Sequence, residues 1–310
     1  MKNWAGRNGR RDRRPPDEEM LNTNAHGTIG LVAEGGGMKC AYNAGILDAF
    51  LDENITFDYC IGASAGSGNL ASYLAGQRGR NLRFFTEHIH SPEYFGLRSL
   101  LKTGNLFGMD YIYGELTKAG GEDPLDYPAF ARNPARYEAV VTNALTGKPE
   151  YFGKDLVKQD DYRLVMASSA IPVVSRPVIL NGVPYFDGGL SDAIPARHAL
   201  EQGCQRLVII LSKSRGYVKK PQGMRLLYHL ACRRYPNVVR AIRRRHLVYN
   251  QNLRDVMSLE REGRAFIFAP SESIHAGTYS MNEQKERELY ELGLRDFAAR
   301  KEALLEFLRA

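Results

Sequence analysis

The side chain best placed for chemistry is a serine in a glycine-flanked turn. Residues 62–66, Gly62-Ala63-Ser64-Ala65-Gly66, have the G-x-S-x-G pattern, in which a sharp strand-to-helix turn exposes a serine hydroxyl above a sheet. Glycines two residues to either side relieve crowding in that turn. We therefore predict Ser64 as a nucleophile supported by Gly62 and Gly66, against the alternative of a plain turn.

A second candidate is the run Glu34-Gly35-Gly36-Gly37-Met38-Lys39, which follows a short apolar segment. Successive glycines before a helix let backbone N–H groups converge, and the positive end of the helix dipole reinforces them. Such a loop suits a phosphate or an oxyanion; a flexible connection is the alternative. Cys40 stands where a dinucleotide-binding loop needs its third glycine, and no G-x-x-x-x-G-K-[ST] loop is present.

A serine nucleophile needs a group that accepts its proton, and Asp187 is a candidate. Asp187-Gly188-Gly189 directly follows a predicted hairpin strand, although on its own it predicts only a turn. None of the seven histidines has a recognisable catalytic context: His26, His88, His90, His198, His229, His246 and His275.

The elements that must position these residues alternate along the chain. Short apolar runs predict strands over 28–33, 57–61, 137–143, 178–180, 183–186, 206–211 and 266–268. Helices are expected over 38–50 and 67–74, and a long one over 281–308 with a possible break near Gly293. Asn181-Gly182 is a strong hairpin signal. This order predicts an α/β fold, a mostly parallel central sheet with helices on both faces.

Three ordered motifs, Glu34–Lys39, the turn around Ser64 and Asp187-Gly188, resemble the patatin-like phospholipase family. Residues 167–172 also resemble the helix-ending stretch before the aspartate in that family, and the similarity runs from about residue 28 to 211. More loosely, the chain is similar to a bacterial subgroup with an extended C-terminal region. The resemblance implies a patatin-like three-layer sandwich that hydrolyses acyl esters of lipids.

The same resemblance implies a Ser–Asp dyad without histidine, with Ser64 as nucleophile and Asp187 as base. It places the oxyanion hole on the backbone of Gly35, Gly36 and Gly37, with Gly188 in support, and implies no cofactor and no metal. Burial of the aspartate beside a hydroxyl and away from cations would raise its pKa.

The chain departs from the family pattern at the first motif. The family usually has aspartate at its start and arginine then glycine at its end, where this chain has Glu34, Lys39 and Cys40. Lys39 keeps the positive charge in a supporting position, so we expect the loop geometry to be preserved.

The 310 residues divide by composition into three parts: a flexible basic tail (1–25), a catalytic core (26–212) and a C-terminal basic and helical region packed on it (213–310). Residues 212–246 carry eleven basic side chains and no acidic one, which exceeds the net charge of +7 for the whole chain. Apolar residues alternate with these arginines at helical spacing, and Pro236 interrupts the pattern.

A basic amphipathic helix suits an anionic membrane surface. The predicted contacts with the membrane are Arg225, Arg233, Arg234, Arg240, Arg243, Arg244 and Arg245. A solvated helical face is the alternative. No nucleic-acid recognition motif accompanies the charges, so we expect no nucleic-acid partner.

An apolar stretch over 95–113 is either a cap over an acyl-chain groove or ordinary core. The sequence contains no membrane-spanning segment and no secretory signal. Its four scattered cysteines indicate a reducing compartment, so we expect a cytoplasmic protein, peripheral at the inner face of the membrane if the basic segment docks there.

Two alternatives to the Ser–Asp lipid hydrolase remain. One is a non-catalytic membrane-docking or regulatory protein that keeps the same fold. The other is a Ser–Asp–His triad of the α/β-hydrolase type, with His275 after the strand over 266–268.

Overall fold

The computed structural model describes residues 28–272 and 281–310. The predicted basic tail (1–25) and His275 therefore lie outside the described residues. The strands are β1 (Ile29–Ala33), β2 (Tyr59–Ala63), β3 (Arg136–Asn143), β4 (Pro149–Gly153), β5 (Val178–Leu180), β6 (Val183–Asp187), β7 (Arg206–Ile210) and β8 (Ala265–Phe268). The α-helices are α1 (Ala41–Asp52), α2 (Ala65–Leu74), α3 (Arg80–Thr86), α4 (Leu97–Thr103), α5 (Tyr127–Arg132), α6 (Arg163–Ser169), α7 (Ala196–Glu201), α8 (Arg225–Ala231), α9 (Pro236–Arg261) and α10 (Glu283–Arg309).

One sheet unites the strands of the described chain, in the order β5-β6-β3-β2-β1-β7-β8, with β4 also paired to β3. The strands β3, β2, β1, β7 and β8 are parallel to their neighbours in that order. Antiparallel pairing joins β3 to β4 and to β6, and β5 to β6 through the predicted Asn181-Gly182 turn. The prediction of a mostly parallel sheet is confirmed.

Two hydrophobic cores lie on the two faces of this sheet, because successive side chains of a strand point to opposite faces. Leu31 and Ala33 of β1 belong to the core that α1 and α10 cover. Val32, between them, belongs to the core that α7 and α9 cover. The fold is therefore three layers, helices on both faces of a central sheet.

The C-terminal region is built into the same architecture. β8 extends the parallel sheet beside β7, and α10 packs along α1. The expected break near Gly293 is wrong, because α10 is continuous through it. A Cβ at Gly293 would lie 2.4 Å from the Tyr42 carbonyl oxygen, and one at Gly45 2.1 Å from the Tyr290 carbonyl oxygen. The glycine thus allows close packing of two helices instead of ending one.

Candidate active site

Ser64 lies at the turn between β2 and α2, as the sequence predicts. Its backbone has φ 54° and ψ −135°, a conformation uncommon for a residue with a Cβ and often associated with functional sites. The flanking glycines have no room for side chains. A Cβ would lie 2.7 Å from the Gly66 backbone at Gly62 and 2.6 Å from the Ala33 carbonyl oxygen at Gly66.

Strand β3 brings Ser64 and Asp187 together. Ala63, the residue before the serine, is paired with Val140 of β3, and Asp187 is paired with the adjacent Val141. The Ser64 hydroxyl donates to Asp187 Oδ2 at 2.6 Å, and the Gly189 N–H donates to Oδ1 at 2.6 Å. Only 6% of Ser64 and 1% of Asp187 is exposed, so bulk water has little access to this pair.

Burial raises the pKa of the Asp187 carboxyl above its ordinary value, because low-dielectric surroundings disfavour the charged form. Arg245 and Lys219 act in the opposite direction, as do the hydrogen bonds from Ser64 and Gly189. The expected direction therefore holds, but the expectation that the aspartate lies away from cations is wrong. The reason is that α9 runs beside the site, and Arg245 Nε donates to the Gly189 carbonyl at 2.6 Å.

A second serine, Ser168, holds the backbone of the turn at Ser64 in place. The Ser64 N–H donates to Ser168 Oγ at 2.9 Å, and the Ser168 hydroxyl donates to the Val140 carbonyl at 2.7 Å. Ser168 is fully buried near the end of α6. Residues 167–172 stand out in the sequence by their family resemblance, but no local pattern predicts a role for this serine.

The glycine loop lies between β1 and α1, and its three glycines line the same space as Ser64. The Gly35 N–H donates to the Ala193 carbonyl at 3.2 Å, so this predicted oxyanion donor already has an acceptor. The Cys40 thiol donates to the Glu34 carbonyl at 3.4 Å. Cys40, which replaces a glycine of the family pattern, is fully buried.

Glu34 and Lys39, the other two departures from the family pattern, have different surroundings. The Glu34 carboxylate is fully buried and accepts from the Ser212 N–H at 2.7 Å and the Tyr249 hydroxyl at 2.9 Å. It also pairs with the Lys213 ammonium. Lys39 is half-buried, and its pKa is lowered mainly by burial and secondarily by Lys213. Glu34 therefore ties the glycine loop to the C-terminal region.

An apolar cavity of about 900 Å³, including its part open to solvent, extends from Ser64 and Gly37. We call it the apolar cavity, and its walls are mostly aromatic and aliphatic. They include Met38, Phe84, Phe85, Tyr94, Phe107, Ile112, Tyr113, Leu125, Tyr162, Val165, Ile171 and Val174. The cavity is apolar and begins at Ser64. It therefore suits the hydrocarbon chain of a ligand whose reacting atom lies next to the Ser64 hydroxyl.

The stretch over 95–113 contributes to this cavity only in part. Phe107, Ile112 and Tyr113 line it, whereas Leu97 and Leu101 of α4 are exposed, by 73% and 87%. The later part of this segment therefore forms a wall of the apolar cavity, and α4 presents exposed apolar side chains to solvent.

A second space of about 1130 Å³, including its part open to solvent, is lined by Ser64, Asp187 and the glycine loop. We call it the cationic cleft. Residues after position 212 line its far wall: Lys213, Tyr217, Val218, Lys219, Lys220, Gln222, Tyr228, Arg245 and Tyr249. The two spaces share Gly37, Ser64 and Ile171 as lining residues, so they are neighbours at Ser64. The basic residues among them are visible in the sequence as a charged segment, but no local pattern places them at the site.

The basic segment forms two helices, α8 and α9, and Pro236 is the first residue of α9. Arg225 begins α8. The predicted membrane arginines of this segment separate into two groups. Arg245 is half-buried in the cationic cleft, which corrects its assignment to a membrane-facing surface. The others whose side chains are described are exposed, namely Arg233, Arg234, Arg240, Arg243 and Arg244. None of the helices in the described part of the chain is long and apolar enough to cross a membrane.

In the part of the chain that the structure describes, no histidine contacts Asp187. His198 is bonded to Glu138 at 2.8 Å and stacked on Tyr151, and His88 is bonded to Asp123 at 3.0 Å. The alternative triad depends on His275, outside the described residues.

Comparison with known families matches this chain in two places. The model of the patatin-like phospholipase family matches residues 31–200. A domain of unknown function, DUF6363, matches residues 235–309. The first match contains Ser64, Asp187 and the glycine loop, and the second contains α9 and α10.

Two similar proteins extend this comparison. The uncharacterized protein YjjU of Escherichia coli is 33% identical over 189 residues, which are 59% of this chain and 52% of YjjU. The match thus spans about half the length of that relative. The structure of human GIVD cytosolic phospholipase A2 with methyl gamma-linolenyl fluorophosphonate superposes with a TM-score of 0.53 at 12% identity. It covers 91% of this chain and 58% of the human chain, a likeness of fold.

Proposed function

The chain belongs to the patatin-like phospholipase family, and on that premise we propose that it is a serine acyl hydrolase that cleaves carboxylic esters of lipids. Ser64 is the nucleophile and Asp187 the general base. The observation that carries this proposal is the 2.6 Å hydrogen bond from the Ser64 hydroxyl to the buried Asp187 carboxylate, located where the apolar cavity begins.

In the first half of the reaction, the Ser64 proton passes to Asp187 as Oγ attacks the ester carbonyl carbon. The raised pKa of Asp187 makes this carboxylate a better base than a solvated aspartate, whose pKa is about 3.9. Collapse of the tetrahedral intermediate breaks the ester C–O bond, and the leaving alcohol takes the proton from Asp187. A water molecule then repeats the sequence on the acyl-serine and releases a fatty acid.

The negative charge of the tetrahedral intermediate requires hydrogen-bond donors beside Ser64. We assign this role to the backbone of Gly36 and Gly37, and to the Ala65 N–H at the start of α2, since the residue after the nucleophile commonly supplies a donor. Gly35 has a supporting role, because its N–H is donated to Ala193. One such donor typically lowers the barrier by about 3 kcal/mol.

We propose further that the protein docks on an anionic membrane surface. Five exposed arginines of the segment 225–245 have no carboxylate within ion-pair distance among the described residues: Arg233, Arg234, Arg240, Arg243 and Arg244. Leu226 and Leu230 of α8 are 72% and 59% exposed. Basic and apolar side chains together favour an interfacial surface. Four free, buried cysteines support a reducing compartment such as the cytoplasm.

The test is ester hydrolysis by Ser64→Ala. Loss of the nucleophile should reduce kcat by several orders of magnitude on acyl esters of any chain length. Ser72→Ala, a buried serine further along α2, is the matched control and should keep activity. Unchanged hydrolysis by Ser64→Ala at an unchanged melting temperature would remove Ser64 from this role.

A further inference from the structure

The charges of the cationic cleft are unequally balanced. Lys213 is paired with the buried Glu34, whereas Lys219, Lys220 and Arg245 have no carboxylate within ion-pair distance in the described ranges. Three cations therefore face a space that also contains the proposed reaction centre. Cations gathered in a cleft without counter-charges favour an anionic ligand.

Two of these cations are held in place by backbone hydrogen bonds. The Asn250 side chain accepts from the Lys219 N–H at 2.9 Å and donates to the Lys219 carbonyl at 3.0 Å, which fixes the lysine against α9. Arg245 is held through its Nε on the Gly189 carbonyl, two residues from Asp187. The backbone at Lys219 and the side chain of Arg245 are thus preorganised, which reduces the ordering that a ligand must impose.

The surroundings of Lys219 also indicate a missing anion. Its pKa is lowered to about 7, first by burial and then by Arg245 and Lys213, with Glu34 opposing and Lys39 adding to the effect. Its ammonium lies 5.2 Å from the centre of the Tyr249 ring. A bound anion would supply the counter-charge that the protein does not provide.

We propose that the cationic cleft binds the phosphate of a lipid headgroup while the acyl chain occupies the apolar cavity. The preferred substrate is then an anionic glycerophospholipid or lysophospholipid. This inference rests on the proposed function, because it names the substrate class of the same site. A headgroup is favoured over free phosphate because the cleft and the cavity are neighbours that share Ser64 in their linings. A molecule with a hydrocarbon chain, an ester and a phosphate spans both spaces.

The experiment measures binding to the Ser64→Ala protein, which needs no turnover. The two ligands are hexanoyl glycerol phosphate and hexanoyl glycerol, monomeric esters that differ only in the phosphate, at constant ionic strength. We expect the phosphate ester to bind at least about tenfold more tightly, as one charge-assisted hydrogen bond predicts. Adding Lys219→Gln should remove most of that preference, and Lys219→Arg should keep it.

The matched control is Arg254→Gln, an exposed arginine of α9 outside the cleft lining, which should leave the preference unchanged. In the Ser64→Ala protein with Lys219 intact, the preference for the phosphate ester should weaken between pH 6 and 8. The reason is that Lys219 loses its proton as the pH rises through its pKa of about 7. The arginine variant should not show this change, since its charge persists.

Two results would overturn the proposal. One is equal binding of the two ligands, or an equal loss for both with Lys219→Gln, which indicates a merely structural lysine. The other is inorganic phosphate binding as tightly as hexanoyl glycerol phosphate, which makes the cleft a free-phosphate site. A wild-type protein that binds the phosphate ester with the expected preference but never cleaves it would contradict the proposed function and leave this inference intact.

Discussion

The apolar cavity and the cationic cleft are both lined by Ser64, but most of their walls come from different parts of the chain. Every residue lining the apolar cavity falls between Gly37 and Val174, inside the family match at residues 31–200. Every basic residue lining the cleft falls after position 212. The family region thus supplies the proposed dyad and the chain-binding wall, and the C-terminal region supplies the charges.

This division has a chemical consequence. An acyl chain is recognised by apolar area, and many related lipids share it, whereas a headgroup is recognised by a few placed charges. Family membership therefore indicates the reaction, and the residues after position 212 are the place to look for substrate preference. Arg245 bears on both the reaction and the substrate preference. It lines the cleft, and its charge opposes the rise in the pKa of Asp187 that burial causes.

The largest effect is expected from Asp187→Asn, which removes the only proposed base. We expect kcat to fall by roughly 10³–10⁴-fold on neutral and anionic esters alike, by analogy with loss of a triad aspartate. Single His→Ala variants, including His275→Ala, should stay within about tenfold of wild type. A histidine variant as damaged as Asp187→Asn would favour a three-residue triad.

Filling the apolar cavity should come next. Gly68 of α2 lines it, and a Cβ there would meet only ordinary contacts, 3.4 Å from the Tyr113 hydroxyl oxygen. Gly68→Leu should exclude roughly four methylenes of a dodecanoyl chain at about 0.8 kcal/mol each, which lowers kcat/KM roughly a hundredfold. Butyryl esters should be almost unaffected.

The control for that variant is Gly114→Leu, since a Cβ at Gly114 has no atom within 4 Å and the residue is outside the cavity lining. Kinetics on esters of increasing chain length would distinguish the two. A Gly68→Leu protein that cleaves dodecanoyl and butyryl esters in the wild-type ratio would show that the chain binds elsewhere.

Membrane docking should depend on the exposed arginines and not on the cleft. Replacing Arg240, Arg243 and Arg244 together by Gln should weaken binding to anionic vesicles by about 3 kcal/mol, or about a hundredfold at low salt. Co-sedimentation with vesicles measures this, and added salt should mimic the mutation in wild type. Gln at Arg254, Arg261 and Arg264, three exposed arginines at or just beyond the other end of α9, is the charge-matched control.

A smaller effect concerns pH. Asp187 must be deprotonated to act as base, so activity is lost as the pH falls through its raised pKa. Arg245→Gln removes a cation that holds this pKa down, and the acidic limb of kcat/KM should move to higher pH by about one unit. If the acidic limb is unchanged, Arg245 does not affect the pKa of Asp187, and its proposed role is limited to lining the cationic cleft.

The sequence predicts the parts of the site that depend on neighbouring residues. The Ser64 turn follows from glycines two positions away, and the β5–β6 hairpin follows from Asn181-Gly182. The meeting of Ser64 with Asp187 requires β3 between them, and the expectation rested on the family resemblance, because register across a sheet is not a local property.

Contacts between distant residues were beyond the sequence. Glu34 and Tyr249, which are hydrogen-bonded, are 215 positions apart. Arg245 is one arginine in a helical run, and only the packing of α9 against the site turns it toward Asp187. The role of Gly293 also depends on a distant part of the chain. It allows α10 to pack closely against α1, which helix propensity does not predict.

In the function that we propose, Ser64 is a nucleophile activated by Asp187 at the end of an acyl-chain cavity. The most direct measurement of this role is covalent labelling with a long-chain alkyl fluorophosphonate, followed by peptide mapping of the adduct. We expect a single adduct on Ser64 that forms quickly in wild type and far more slowly in Asp187→Asn. An adduct on another residue, or equal labelling rates in the two proteins, would contradict this proposal.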